Sequence, residues 1–290
     1  MHNFVPPLKG ARLSLIEVGK RLRGSKRTFF VNNNIKLRRL FIDYNRLAFS
    51  GALHLLTQAV KDSPSDTKTV REEKQVWREN ANALYGSNRA FVNKHWEDIT
   101  KKNGGKKLKC PICGIRYCSE MDHYVPRALF PEYSSHLNNL IPLCHECNNG
   151  KGNQYLSKKG GKRVFFNAYY DDLKGESPIE CAIGVSSIDG LPEVHVSFNS
   201  SLNVGIMPGS IVKSTFDQLT DLIPLYQVKA SDYLRQEVIR LSNASIGARG
   251  EIMNSYPLLS QTGSIDFLQA EVFKAITISK DMAIWVKSLP

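Results

Sequence analysis

Four of the six cysteines stand in two Cys-x-x-Cys pairs, Cys110/Cys113 and Cys144/Cys147. Two thiolates spaced this way on a tight turn reach the same tetrahedral ion, and two such pairs make a closed four-sulfur set. That set draws residues 110 and 147 to one point and obliges the chain between them to fold around it. Thirty residues separate Cys113 from Cys144, more than a zinc ribbon needs. The surplus carries Asp122-His123 and Asn139, and Asn148 follows the last cysteine directly. Disulfides are the competing use of six cysteines. A chain of 290 residues without an apolar leader favours reduced zinc thiolates in a cytoplasmic compartment.

Length and composition predict two or three compact units, since 290 residues with 42% hydrophobic content fill ordinary cores. No apolar run of about 18 residues occurs, so no membrane partner is expected. The net charge is +12, and its distribution is uneven. Residues 1–40 hold ten basic residues against Glu17 alone, and residues 101–163 hold twelve against four acidic ones. Residues 171–290 hold nine basic and fourteen acidic residues. A basic excess before and around the cysteine pairs predicts phosphate neutralisation, hence a nucleic-acid partner. The acidic last third is a poor nucleic-acid surface and predicts a partner-binding or regulatory role.

Taken in order, VGKRLRGSKRTFF (18–30) is expected as a loop or short strand pair within a basic arm. From Asn34 to roughly Lys61, Leu37, Leu40, Phe41, Tyr44, Leu47 and Ala48 recur at helical spacing. SPSDT (63–67) breaks that pattern and starts one or two helices over 68–101, with Val76, Trp77, Leu84 and Tyr85 as the apolar stripe. Lys158, Lys159, Lys162 and Arg163 surround two glycines and suit a phosphate-contacting loop. Phe165, Phe166, Tyr169 and Tyr170 are expected to cap the zinc unit against the next domain. IECAIGVSS and PEVHVSF alternate as strands, and 214–243 and 264–289 read as helices.

The polar residues between the cysteine pairs suit phosphodiester hydrolysis. That reaction needs a deprotonated water, neutralised non-bridging charge and a stabilised leaving oxygen. His123 is the candidate general base, because an imidazole titrates near neutral pH. Asp122 and Asn148 offer oxygens to a hard ion, Mg²⁺ or Mn²⁺. Neighbouring strand residues face opposite ways, so Asp122 and His123 share a site only where a strand bends or ends, and Pro126 fits such a break. Leu140–Leu143 is the expected second strand. A helix starting near Cys144 then sets Asn148 and Lys151 on one side.

The sequence D-H-x-x-P-R followed by N-L-x-x-L-C-x-x-C-N-x-x-K-G-N resembles the HNH (ββα-metal) endonucleases, in the subgroup stapled by two Cys-x-x-Cys knuckles. The resemblance covers roughly 45 residues and implies an α+β fold. Its centre would be a ββα-metal unit with a four-cysteine zinc site at 106–170. A basic, mostly helical region would precede it at 1–105, and an α+β domain would follow at 171–290. It implies that Asp122 and Asn148 bind the catalytic ion, that Asn139 braces the loop and the base, and that Lys151 and Arg127 face phosphate. The implied function is metal-dependent DNA cleavage, with RNA a weaker alternative. An HNH unit between unrelated domains resembles effectors of bacterial antiphage defence or restriction, paired with an ATPase or sensor. A mobile-element homing nuclease and a non-catalytic zinc-ribbon binding module are the competing readings. The second leaves Asp122, His123, Asn139 and Asn148 as coincidence.

Overall fold

Among its described residues, the stretch ahead of the first cysteine pair is mostly helical. The computed structural model describes residues 4–5, 11–20, 22–86, 89–105, 107–157, 161–202, 209–261 and 266–290. α1 (Ala11–Gly19) leads to α2 (Gly24–Phe49), which buries Leu37, Phe41, Tyr44 and Ala48 on one face. The loop or strand pair expected over 18–30 is therefore the end of one helix and the start of the next. Its Lys and Arg side chains are good helix formers, and solvent accepts their charge. α2 stops at Phe49 rather than near Lys61 because Gly51 takes φ +70°. Its N–H bonds to Ala48 O and the Ala52 N–H bonds to Leu47 O, the paired closure that glycine permits at a helix C-terminus.

α3 (Lys68–Gly86) and α4 (Arg89–Lys102) follow. Of the expected stripe only Leu84 is buried. Val76 is 55% exposed, Trp77 packs edge-on against Phe29 of α2, and Tyr85 reaches the site described below. Ala81 replaces Val76 as the second buried position, so the inward face of α3 is rotated from the one the aromatics suggested.

β1 (Glu120–His123) and β2 (Leu140–Leu143) form an antiparallel pair with Asp122 opposite Ile141 and His123 opposite Leu140. α5 (His145–Lys151) starts one residue later, with Cys144 as its N-cap. This is the ββα arrangement. Tyr169 donates its hydroxyl to Leu140 O (2.7 Å), and Tyr124 donates to Phe165 O (2.7 Å). Phe165, Phe166 and Tyr169 are buried against this unit. The stretch carrying the two cysteine pairs and the N-terminal helices belong to one compact unit, 2–172 with 205–215.

The second unit comprises 173–204 and 216–290. β3 (Ile179–Val185) and β4 (Pro192–Phe198) pair antiparallel as a hairpin. α6 (Gly209–Gln218) spans the unit boundary, and α7 (Leu222–Ser242), α8 (Ile246–Gln261), α9 (Phe267–Ile278) and α10 (Lys280–Ser288) complete the chain. α8 has no counterpart in the expected pattern, since two glycines and Pro257 obscure it. Tertiary contacts hold it instead: Tyr256 is fully buried, packs on Phe273 and donates its hydroxyl to Glu237 (2.7 Å). No helix among the described residues is long and apolar enough to cross a membrane.

Candidate active site

The two cysteine pairs close on each other. The Sγ atoms of Cys110, Cys113, Cys144 and Cys147 all lie within 4.8 Å of one another, and all four residues are buried. Tetrahedral zinc–sulfur bonds place sulfurs about 3.8 Å apart, and Cys113 Sγ lies 4.0 Å from Cys144 Sγ. The first pair sits on a turn in which the Gly114 N–H bonds back to Cys110 O at φ +67°. The second pair straddles the start of α5. Four thiolates at this range repel unless a cation neutralises them, so the donor set fits one zinc ion. Cys118 is buried nearby but stands outside the set, and burial pushes its thiol up. Cys181 is half-buried in the second unit.

β1 ends at His123, as the strand geometry requires for Asp122 and His123 to share a site. Both line one cleft of about 340 Å³ with Tyr85, Arg127, Asn148, Asn149 and Gly152. His123 Nε2 lies 2.9 Å from Ser134 O. A carbonyl only accepts, so Nε2 carries the proton and Nδ1 is the basic nitrogen. Burial holds the imidazole down to about 3, the Ser134 bond opposes that, and the charges of Arg127 and Lys151 add to it. The ring is therefore neutral throughout the physiological range. A phosphate arriving beside it favours the imidazolium and raises its proton affinity.

Lys151 does not face solvent. It is fully buried, one turn after Cys147, with Nζ 3.1 Å and 2.9 Å from the two Asp122 oxygens and 2.9 Å from His123 O. The phosphate contact implied for it is thereby corrected. A buried ammonium must be paired, and the inward face of α5 points it at the carboxylate. Burial pushes the Asp122 carboxyl up, and Lys151 works against that. Asn148 lies beside it, and its Nδ2 donates to Glu120, whose other oxygen contacts His145 Nδ1 (2.6 Å). The carboxylate can take only the amide nitrogen, which leaves the Asn148 oxygen as the end available to a cation. Glu120 escaped sequence reasoning, although it stands two residues before Asp122 on the same strand.

Asn139 is buried, and its side chain is fully engaged. Oδ1 accepts from the Val125 N–H (2.8 Å) and the Tyr44 hydroxyl (3.1 Å), while Nδ2 donates to Val125 O (3.0 Å) and Tyr133 O (3.2 Å). These bonds close the loop between β1 and β2 beneath His123. Each contributes roughly 1 kcal/mol net. Tyr44 belongs to α2, so the N-terminal helices share in holding the loop.

The basic residues divide. Arg127 is exposed at the cleft, and Lys162 is exposed on the loop after it. Lys158 and Lys159 lie outside the described residues. Arg163 is corrected: it is 7% exposed and grips Asp171 with both Nη atoms (3.0 and 2.7 Å) while donating to the Tyr124 hydroxyl. A planar guanidinium matches a carboxylate in this paired way, and burial leaves it nothing to offer a phosphate. Arg163→Ala is expected to destabilise the protein by about 3–5 kcal/mol, because it strands a buried carboxylate, whereas Lys162→Ala changes stability little. Urea unfolding of the two variants checks this, and equal midpoints would contradict it.

Comparison with known proteins agrees with this geometry. The model of the HNH endonuclease family matches residues 110–154. Over 79 residues the chain is 37% identical to Protein ea31 of Escherichia phage lambda, a match covering 26% of this chain and 26% of that protein. No solved structure matches.

Proposed function

With an HNH endonuclease domain at residues 110–154 as the premise, we propose that this chain hydrolyses DNA phosphodiester bonds. In this reading His123 is the general base, and one divalent ion, Mg²⁺ or Mn²⁺, is held by Asp122 and Asn148. One observation carries the reading. An imidazole whose Nε2 lies 2.9 Å from Ser134 O shares a cleft with a carboxylate and an amide whose nitrogen is already engaged. The donor set is all oxygen and suits a hard cation. Such an ion supplies positive charge to the non-bridging and leaving oxygens of the phosphate.

The residues divide the remaining tasks. His123 Nδ1 takes the proton of the attacking water. Ser134 O keeps the ring in the one tautomer that leaves Nδ1 free to do so. Glu120 turns Asn148, and Lys151 holds Asp122. Arg127 stands at the cleft wall where a phosphate neighbouring the scissile one enters. Asn139 holds the loop that carries Ser134.

A non-catalytic zinc module gives no account of a buried neutral histidine beside a buried carboxylate. The basic excess of 1–40 and 101–163 supports a nucleic acid as the polyanion bound, and the acidic excess of 171–290 supports a protein-facing role for the second unit. For the biological setting the reading is a bacterial defence or restriction effector, with a mobile-element nuclease as the alternative.

Incubation with supercoiled plasmid tests the activity. Nicked or linear DNA is expected with Mg²⁺ or Mn²⁺ and none in EDTA. Cutting in EDTA excludes the one-ion reading. Intact plasmid under every metal, from zinc-loaded protein, leaves either the zinc-ribbon module or an enzyme awaiting its partner, and adding the product of the neighbouring gene separates the two.

A further inference from the structure

The base is held from outside the region that matches the nuclease family. α3 ends some twenty residues before Cys110, yet its last full turn touches His123 by two routes. Through Tyr85, the phenol ring meets the imidazole edge-on, with centroids 4.5 Å apart and planes at 72°. Through Ala81, one turn earlier, the main-chain carbonyl accepts from the Ser134 hydroxyl (3.1 Å). Ser134 is the residue whose own carbonyl takes the His123 Nε2 proton. One helical turn therefore fixes both the ring of the base and the acceptor that sets its tautomer. Arg127 stands 5.8 Å over the Tyr85 ring, so the same aromatic also lies beside the cleft's exposed cation.

Core packing alone does not account for Tyr85. The residue is half-buried and forms part of the cleft wall, where a purely structural aromatic would be enclosed. Its T-shaped approach is the geometry favoured by ring quadrupoles. The edge-on contact with the phenol ring and the tether of Nε2 to Ser134 O restrain the imidazole from two sides, with Nδ1 aimed away from Ser134. Positional error near 1 Å at a reacting group costs about 10²-fold in rate, so a wall of this kind is functionally costly to remove.

We infer that Tyr85 is a positioning residue for His123, and that the Ala81–Tyr85 turn of α3 is a working part of the active site lying outside the matched domain. This rests on the reading of His123 as general base, but its central test does not need turnover. In histidine-labelled protein, long-range ¹⁵N–¹H spectra report the His123 tautomer directly. Wild type and Tyr85→Phe are expected to show the Nε2–H form alone. Tyr85→Ala is expected to show mixed tautomers while still carrying its full zinc. Ser134→Ala removes the second route without touching the cleft wall and is expected to show the same mixture, which keeps the test available if Tyr85→Ala fails to fold.

Where wild type cleaves, Tyr85→Ala is expected to lower the single-turnover rate about 10- to 100-fold, with DNA affinity falling no further than in Arg127→Ala. Tyr85→Phe is expected to restore the rate. A Tyr85→Ala protein that keeps the pure Nε2–H tautomer overturns the inference. So does one that cuts within twofold of wild type. An inactive wild type with the expected spectra defeats the nuclease reading and leaves the positioning role standing.

Discussion

His123→Ala is expected to lower plasmid cleavage by about 10²- to 10⁴-fold, the usual effect of losing a general base, and to leave zinc content and DNA affinity near wild type. The structure adds a stability effect. The imidazole is buried, and its removal leaves Ser134 O without its partner, which costs about 1–3 kcal/mol. Activity should therefore be read well below the melting temperature of the variant. Asn148→Ala should also inactivate, but through the catalytic ion, so high Mn²⁺ restores part of its activity and none of that of His123→Ala. Asp122 needs a gentler change. Both its oxygens contact the buried Lys151 ammonium, and Asp122→Ala would strand that charge at about 3–5 kcal/mol. Asp122→Asn keeps the shape and isolates the effect on the ion. An Ala variant of His123 that cuts as fast as wild type would end the assignment.

Removing zinc is expected to unfold the ββα unit. Its elements are four, four and seven residues long, too short to bury a core of their own. The four-sulfur site adds to the core these elements share with the rest of their unit, and structural zinc contributes about 10–16 kcal/mol of apparent folding energy in units of this kind. Protein purified without added metal should carry one zinc per chain by elemental analysis. A strong chelator, or Cys144→Ser with Cys147→Ser, should abolish cleavage and release the loop that Asn139 holds. Helical signal from α2 and α3 should persist longer, because their mutual packing does not pass through the cysteines. Zinc below half an equivalent with the unit still folded would refute the site.

What was legible in the sequence was local and periodic. The cysteine spacing announced the four-sulfur cluster, because ligand geometry tolerates few spacings. β2 was readable at Leu140–Leu143, and β3 and β4 by alternation, because a half-buried strand repeats every second residue. The need for β1 to bend or end near His123 followed from strand geometry, and it ends there. Asn139 was assigned by resemblance, and the bonds to Val125 and Tyr133 supply its physical content.

Burial of charge was not legible. Lys151 and Arg163 look in sequence like any other basic residue beside glycines, and both are interior, paired with Asp122 and Asp171. Nothing local says that an ammonium will be enclosed, because enclosure depends on which carboxylate another element brings. The extent of α2 and the existence of α8 were hidden for a related reason, since a glycine closure and a buried tyrosine decided them rather than propensity. The same holds for Tyr44, Ala81 and Tyr85. They stand far from the nuclease motif along the chain and reach Asn139, Ser134 and His123 only through the packing of helices. The sequence by itself determined the four-cysteine cluster and the match to the HNH domain, because these depend on residue type and short spacing. Only the tertiary structure decided which charges are spent inside the fold and what packs against His123, because both depend on contacts between segments distant in the chain.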